Sequence, residues 1–287
     1  MADLERGRFR GALLGLAIGD AVGTSVEFRP RGTFEPLTDM AGGGPFALEA
    51  GRWTDDTSMA LCLAESLLAS DGMNLKDQME RYLRWYRHGV WSSKGYCFDI
   101  GNATRAALER FEQDGNPLAG SADPHQAGNG SIMRLAPVVL FHAHNRELAI
   151  EASRESSRTT HQSVTCLKAC EELGARLYDL LHAERKHLDS FASRTADSVR
   201  GSGYVVDSLD AATWAFAHGN TFEECILLAA NLGDDADTTA AITGQMAGAW
   251  FGVRGIPEHW RERCYRAAEI ISLADQLYDA AASTTTV

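Results

Sequence analysis

Gly11-Ala12-Leu13-Leu14-Gly15-Leu16-Ala17-Ile18-Gly19-Asp20-Ala21 sets the architecture of this chain. Its apolar residues have helical spacing, and Gly11, Gly15 and Gly19 recur at every fourth position, which is one face of a helix. Glycine is a poor helix former, so a stripe of it makes sense where another backbone comes very close. The pattern from Leu4 to Ala21 therefore predicts a central helix. Working outward, apolar residues keep helical spacing almost throughout, and alternation is confined to scraps such as Tyr204-Val205-Val206. Helices are predicted over Asp55–Ser70, Leu75–His88, Asn102–Glu112, Ile132–His142, Glu147–Ser157, Ser163–Leu181, His187–Val199, Leu209–Ala217, Phe222–Ala230, Asp235–Phe251 and Glu258–Ala281. No composition break, repeat or low-complexity linker divides them. The expected fold is all-α, a single compact multi-helix (orthogonal bundle) domain over residues 1–287. The exception is Phe28 to Arg52, with Pro30, Pro36, Pro45 and Gly42-Gly43-Gly44; irregular stretches of this length are usually functional, so a lid or rim is expected there.

The chain has 287 residues, 45% of them hydrophobic and 23% charged, which fits a folded globular protein rather than a disordered or fibrous one. Its 27 Lys and Arg against 39 Asp and Glu leave a formal net charge of −12, which repels a phosphate backbone and argues against bulk nucleic-acid binding. Six cysteines without CxxC spacing read as reduced, mostly buried thiols. The apolar run Gly11 to Ile18 is too short to span a membrane and lacks a signal-type cleavage context. A cytoplasmic protein is expected.

Two acidic helix starts carry the chemistry. Trp53-Thr54-Asp55-Asp56-Thr57-Ser58-Met59 runs into an apolar helix whose Met59, Leu61, Leu63, Leu67 and Leu68 point around most of its circumference. Asn231-Leu232-Gly233-Asp234-Asp235-Ala236-Asp237-Thr238-Thr239 opens a helix lined with small residues, Ala240, Gly244 and Gly248. Helix capping is the plain alternative, since Asp and Thr satisfy free N–H groups in a first turn. Burial strains that alternative: like charges about 4 Å apart oppose each other by roughly 4 kcal/mol at an effective dielectric of 20. Hard divalent cations relieve such repulsion. Carboxylate and hydroxyl oxygens suit Mg²⁺ or Mn²⁺ better than Zn²⁺, so two divalent cations in a binuclear site are expected.

Taken in order, Gly11 through Gly15 and Gly19-Asp20-Ala21 to Glu27, then Trp53 to Thr57, Phe98-Asp99-Ile100-Gly101-Asn102, Gly128-Asn129-Gly130-Ser131-Ile132-Met133-Arg134, Thr160-His161 and Gly233 to Thr239 resemble the ADP-ribosylglycohydrolases over nearly the whole chain. The resemblance implies an all-α hydrolase with a binuclear Mg²⁺ or Mn²⁺ site at the foot of a cleft that receives ADP-ribose. By position it makes Thr54, Asp55, Asp56, Asp235, Asp237 and Thr238 metal ligands. It makes Asp99 and Glu27 catalytic, the first assisting proton transfer and the second orienting water or substrate. It makes Gly101, Asn102, Gly128, Asn129, Gly130, Ser131 and His161 substrate-binding. The implied reaction is cleavage of the N-glycosidic bond between ADP-ribose and a modified acceptor, with protein arginine favoured by Asp99. O-linked substrates (serine or O-acetyl-ADP-ribose) and a non-catalytic ADP-ribose reader or structural relative are the alternatives. The partner is accordingly an ADP-ribosylated protein or a small ADP-ribose conjugate.

Plainer readings of single residues stand beside these. Glu27 reads equally as an exposed residue at a helix exit, Asp99 as an N-cap for the helix from Asn102, and His161 as a satisfied polar side chain. Gly128 to Ser131 reads as a turn, or as a glycine turn before a helix at Ile132 whose backbone N–H groups hold a diphosphate without Lys or Arg. Many family members have Gly-Gly-Asp where this chain has Gly233-Asp234-Asp235, which leaves the role of Asp234 open. Prenyltransferase-type enzymes also use two acidic motifs, but their DDxxD spacing is absent, and no His-Asp doublet supports a phosphohydrolase. Tyr82, Trp85, Tyr86 and Trp91 are expected to pack in the core, as are Cys166 and Cys170.

Overall fold

A computed structural model of the protein describes residues 5–186 and 188–283. Its helices are α1 (Arg6–Gly23), α2 (Asp55–Ser70), α3 (Leu75–His88), α4 (Asn102–Asp114), α5 (Ala136–Phe141), α6 (Arg146–Ser157), α7 (Val164–Leu181), α8 (Asp189–Ala192), α9 (Val205–His218), α10 (Phe222–Ala230), α11 (Ala236–Gly255), α12 (Glu258–Arg263) and α13 (Ala267–Ser283). Among the described residues there is no strand, only isolated bridges such as Pro30 with Gly233 and Gly128 with Tyr204. The fold is all-α.

Its axis is the contact of α1 with α11. A Cβ placed on Gly11, Gly15, Gly19 or Gly23 would lie 2.2, 2.4, 2.1 or 2.4 Å from the carbonyl oxygen of Gly248, Gly244, Ala240 or Ala236. One number rises as the other falls, so the helices are antiparallel. The contact is reciprocal: a Cβ on Gly244 or Gly248 would meet the Gly15 or Gly11 carbonyl oxygen at 2.0 or 1.9 Å. Only glycine fits, and the propensity it gives up is offset by two main chains in direct contact. The C-terminal end of α1, with Asp20, Thr24 and then Glu27, thus lies beside the N-terminal end of α11, with Asp237 and Thr238. α2 begins at the same place and is buried from Asp55 through Ala64. The main core surrounds this trio with Leu13, Leu14 and Ile18 of α1, Leu61 and Leu63 of α2, and Trp85, Phe216 and Trp260 from further out. Tyr82 and Trp85 pack inside, as expected, while Tyr86 and Trp91 lie at its edge. All six cysteines are free, five of them buried.

Several helix boundaries differ from the sequence reading. Leu4 and His187, expected as helix starts, lie outside the described residues. No helix starts at Ile132: α5 begins only at Ala136, with Pro137 in its first turn. Proline has no N–H to offer the Met133 carbonyl and its ring crowds that turn, so the preceding residues form turns instead. Gln245 satisfies the interrupted backbone, donating to the Ile132 and Met133 carbonyls and accepting from the Ala136 N–H. The helix expected to reach Val199 is, over its described part, α8 and a 3-10 turn at Ala196–Ser198. Here Arg31 donates to the carbonyls of Ala196 and Val199 and Trp214 to that of Arg194, so side chains replace the helical ladder. The last predicted helix is two, α12 and α13, broken where Arg266 adopts φ +52° and the Tyr265 N–H donates to the Gly51 carbonyl. α11 passes its predicted end through a kink at Gly252, and α9 begins earlier than expected, taking in Val205 and Val206.

Candidate active site

Asp20 organises the site from below. It is fully buried and accepts hydrogen bonds from the Thr54 N–H (2.9 Å), the Thr54 hydroxyl (2.9 Å), the Thr57 N–H (3.1 Å) and the Thr57 hydroxyl (2.6 Å). Burial pushes its carboxyl up to about 6, and these four donors hold it down against that. It locks the first turn of α2 onto α1. The sequence reading gave Asp20 no role, although a lone acid inside an otherwise apolar glycine-striped helix is the kind of residue that must have partners.

Above Asp20 the two acidic motifs meet. The Thr54 hydroxyl lies 3.2 Å from Asp56 Oδ2 and 3.3 Å from Asp237 Oδ2, besides its contact with Asp20. The Thr238 hydroxyl lies 3.4 Å from Asp56 Oδ2. Carboxylate oxygens of Asp20, Asp56 and Asp237 fall within 4.8 Å of one another, and so do those of Glu27, Asp99 and Asp237. Burial, then the neighbouring carboxylates, raise Asp55, Asp56 and Asp237 well above the ordinary range. Glu27 is pushed up to about 10 by burial and the charges of Asp99, Asp235, Asp56 and Asp20. Asp99 is pushed up to about 8 by burial and the charges of Asp20 and Asp235, held back by a hydrogen bond with Glu27. Asp235 is also raised by burial, against a 2.7 Å hydrogen bond donated by Asn129 Nδ2 to its Oδ2.

This donor set fits a hard cation. Thr54 Oγ1 has one proton and three carboxyl oxygens within reach, so the remaining contacts set lone pair against lone pair unless a carboxyl proton or a metal cation lies between them. Asp56 Oδ1 and Asp237 Oδ1 are buried and have no hydrogen-bond partner among the described residues. All the donors are oxygens, the set that suits Mg²⁺, Mn²⁺ or Ca²⁺. The acidic clusters can hold a metal.

Capping does not explain these residues. Neither Thr54, the N-cap of α2, nor Asp235, the N-cap of α11, makes a side-chain cap hydrogen bond. Asp99 does not cap α4 either. That place belongs to Gly101, while Asp99 stands at φ +59° and meets Glu27. Glu27 is no exposed helix-exit residue, being 3% exposed.

Over the acids opens a cleft of about 790 Å³. It is lined by Glu27, Asp55, Asp99, Asp235, Asp237 and Thr238, and also by Gly101, Asn102, Gly128, Asn129, Gly130 and His161. Thr54 and Asp56 lie beneath this surface, and Ser131 lies outside the lining, its hydroxyl accepting from Cys170 Sγ at 3.4 Å. The glycine turn supplies fewer free donors than the sequence suggested. There is no helix N-terminus at Ile132, and the Gly128 and Asn129 N–H groups donate to the Gln126 and Gly203 carbonyls. His161 is buried and neutral, pushed down to about 3 by burial and the nearby Arg134, with Nδ1 2.8 Å from the Thr160 hydroxyl. A Cβ on Gly130 would come within 2.8 Å of His161 Cε1, so that glycine lets the ring reach the cleft. Phe28, from the long loop expected as a lid or rim, stands at the mouth.

With this geometry, comparison with known proteins becomes informative. The model of the ADP-ribosylglycohydrolase family matches residues 1–286. The chain belongs to the ADP-ribosylglycohydrolase family. Among curated members of that family, it is 46% identical over 292 residues to the ADP-ribosylarginine hydrolase Tri1 of Pseudomonas putida, covering 96% of this chain and 78% of that protein. It is 33% identical to the ADP-ribosyl-[dinitrogen reductase] glycohydrolase of Rhodospirillum rubrum, covering 88% of each. A solved structure described as an ADP-ribosylglycohydrolase-related protein complex superposes with a TM-score of 0.84 at 43% identity, covering 96% of this chain and 98% of that one. No helix among the described residues is long and apolar enough to cross a membrane.

Proposed function

We propose that this protein is a metal-dependent hydrolase that cleaves the N-glycosidic bond between ADP-ribose and the guanidinium of a modified protein arginine. The observation that carries the reading is the convergence of the two remote acidic helix starts on one cluster at the foot of a cleft, with unpartnered buried oxygens on Asp56 and Asp237. Family membership and relatives named as ADP-ribosylarginine hydrolases support the substrate class.

In this reading Asp55, Asp56, Asp235 and Asp237 hold two divalent cations, Mg²⁺ or Mn²⁺, with the hydroxyls of Thr54 and Thr238. Asp20 fixes Thr54 from behind. When bound, the cations supply positive charge and Lewis-acid polarisation at the ribose next to the scissile bond. The cleft residues do the rest. His161, Asn102 and the turn at Gly128 to Gly130 hold the ADP-ribose so that its anomeric carbon faces Glu27 and Asp99. Water adds its oxygen to that carbon, the carbon–nitrogen bond breaks, and the departing guanidine takes a proton. Glu27 and Asp99 share a hydrogen bond and are both pushed up by burial and neighbouring charge, so the pair resists double ionisation and retains a proton to give. Asp99 delivers that proton to the leaving nitrogen, and Glu27 accepts from the attacking water.

The test is release of ADP-ribose from an ADP-ribosylated arginine protein by the purified chain, with O-acetyl-ADP-ribose and serine-linked ADP-ribose in parallel. The expected result is turnover of the arginine conjugate that stops with EDTA and returns with Mg²⁺ or Mn²⁺. Undiminished turnover in EDTA defeats the metal assignment, and turnover of the O-linked substrates alone defeats the arginine assignment.

A further inference from the structure

Next to Glu27 and Asp235 in the chain are two residues that the reaction above does not use. Phe28 follows Glu27 in the chain and Asp234 precedes Asp235, and both line the cleft. Their main chains are tied to each other: the Phe28 N–H donates to the Asp234 carbonyl at 2.7 Å, and the Asp234 N–H donates to the Arg29 carbonyl at 2.8 Å. Both stand in the left-handed region, Phe28 at φ +61° and Asp234 at φ +57°, where glycine would be at ease. Phe28 is 65% exposed, an unusual setting for phenylalanine. Its ring meets Phe46 edge-on at 6.4 Å, and Phe46 meets Phe98 at 5.2 Å, so it is braced on one edge with most of its surface open. The neighbouring rings already hold a cation: Lys94 Nζ lies 5.5 and 5.4 Å from the ring centroids of Tyr96 and Phe98. Among the described residues no cation lies over Phe28.

We propose that Phe28 and Asp234 form the acceptor subsite, which takes the arginine side chain of the substrate, the Phe28 face against the guanidinium plane and the Asp234 carboxylate against its N–H groups. This rests on the arginine reading above and deepens it. The chemistry matches on both counts. A guanidinium is a flat, weakly hydrated cation that stacks on aromatic faces and pairs with carboxylates through a fork of donors. The placement matches as well. Phe28 and Asp234 are the chain neighbours of Glu27 and Asp235 and line the same cleft, and Phe28 is largely exposed, so an acceptor still attached to its protein can reach them from solvent. A serine or acetyl acceptor has no cation for this pair to recognise, so the subsite discriminates among acceptors.

The experiment compares the full-length protein with Phe28→Ala, Asp234→Asn and Asp234→Gly. It measures kcat and KM on ADP-ribosylarginine, inhibition by agmatine, and binding of free ADP-ribose by calorimetry. Each variant should raise KM for ADP-ribosylarginine and weaken agmatine inhibition by roughly three- to tenfold, the range of a cation–π contact or a partly exposed charge pair. The kcat and the affinity for ADP-ribose should stay within about twofold of the wild type, which also reports that the variants are folded. Unchanged KM and agmatine inhibition overturn the subsite, and so does an equal loss of affinity for free ADP-ribose, which would place the pair on the ADP-ribose side. A wild type that turns over O-linked substrates but not the arginine conjugate defeats the functional reading itself, a failure visible before any variant is made.

Discussion

The helix starts of this protein are of two kinds. α3, α6, α7 and α10 begin at Asn74, Asn145, Ser163 and Thr221, each accepting a hydrogen bond from an N–H of the first turn. α2 and α11 begin at Thr54 and Asp235 with residue types equally able to cap, yet neither does. In the first group the side chain serves its own helix. In the second it faces other carboxylates of the site, and the helix forgoes the roughly 1 kcal/mol that a cap contributes. Side chains withheld from local stabilisation in two places that meet in space are the structural mark of a site.

The contrast can be broken most severely at the ligands. Asp237→Asn should lower the rate of ADP-ribose release by roughly a thousandfold, the scale seen when a group that stabilises developing charge is removed; activity within tenfold of the wild type would mean that the cluster is not the reacting centre. Next in size is the scaffold that brings the two starts together. Gly244→Val inserts a side chain where a Cβ alone would lie 2.0 Å from the Gly15 carbonyl oxygen. A loss of about 3 kcal/mol in denaturant unfolding is expected, with weaker divalent-ion binding in whatever folds. Stability unchanged within 0.5 kcal/mol, roughly the scatter of a neutral surface change, would dismiss the backbone contact.

A third comparison turns on sign. Asn145→Ala should cost about 1 kcal/mol and leave turnover intact. Asp56→Asn should instead raise the melting temperature of EDTA-treated protein, because it removes a carboxyl that burial and its acidic neighbours hold back from ionising, and should abolish any further rise on adding Mn²⁺. Shifts of the same sign in both variants would erase the distinction between the two kinds of helix start. The smallest effect is with pH. Asp99 and Glu27, pushed up to about 8 and about 10, hold protons in the folded chain that they would give up when unfolded. Metal-free protein should therefore lose stability as pH rises from 7 to 9, and saturating Mn²⁺ should flatten that slope. Thermal unfolding at the two pH values, with and without the ion, reads it directly.

The sequence made the helical framework legible because periodicity and breakers are local. α2, α3 and α10 begin and end where the pattern predicts. It was less informative where a distant side chain takes over the backbone. Gln245 serves the carbonyls of Ile132 and Met133, and Arg31 those of Ala196 and Val199, so apolar spacing at those segments read as helix. For the cluster, residue type and spacing already pointed to Thr54, Asp56, Asp237 and Thr238. Asp20 was read within its motif but given no role, because its importance comes from Thr54 and Thr57, which are adjacent only after folding. Ser131 fitted a motif by position, but its hydroxyl meets Cys170 instead of the cleft.

The glycine ladder between α1 and α11 bears on how this enzyme tolerates change. Peptide groups have no rotamers, so the separation of the two ridges that carry Asp20 and Asp237 is fixed by main-chain atoms alone. Substitutions in the outer helices can alter the volume and shape of the interior without reaching the spacing of the oxygens at the cleft floor. The chemistry is insulated from drift elsewhere, and its tolerance ends abruptly at a handful of positions where even one methyl group is too many.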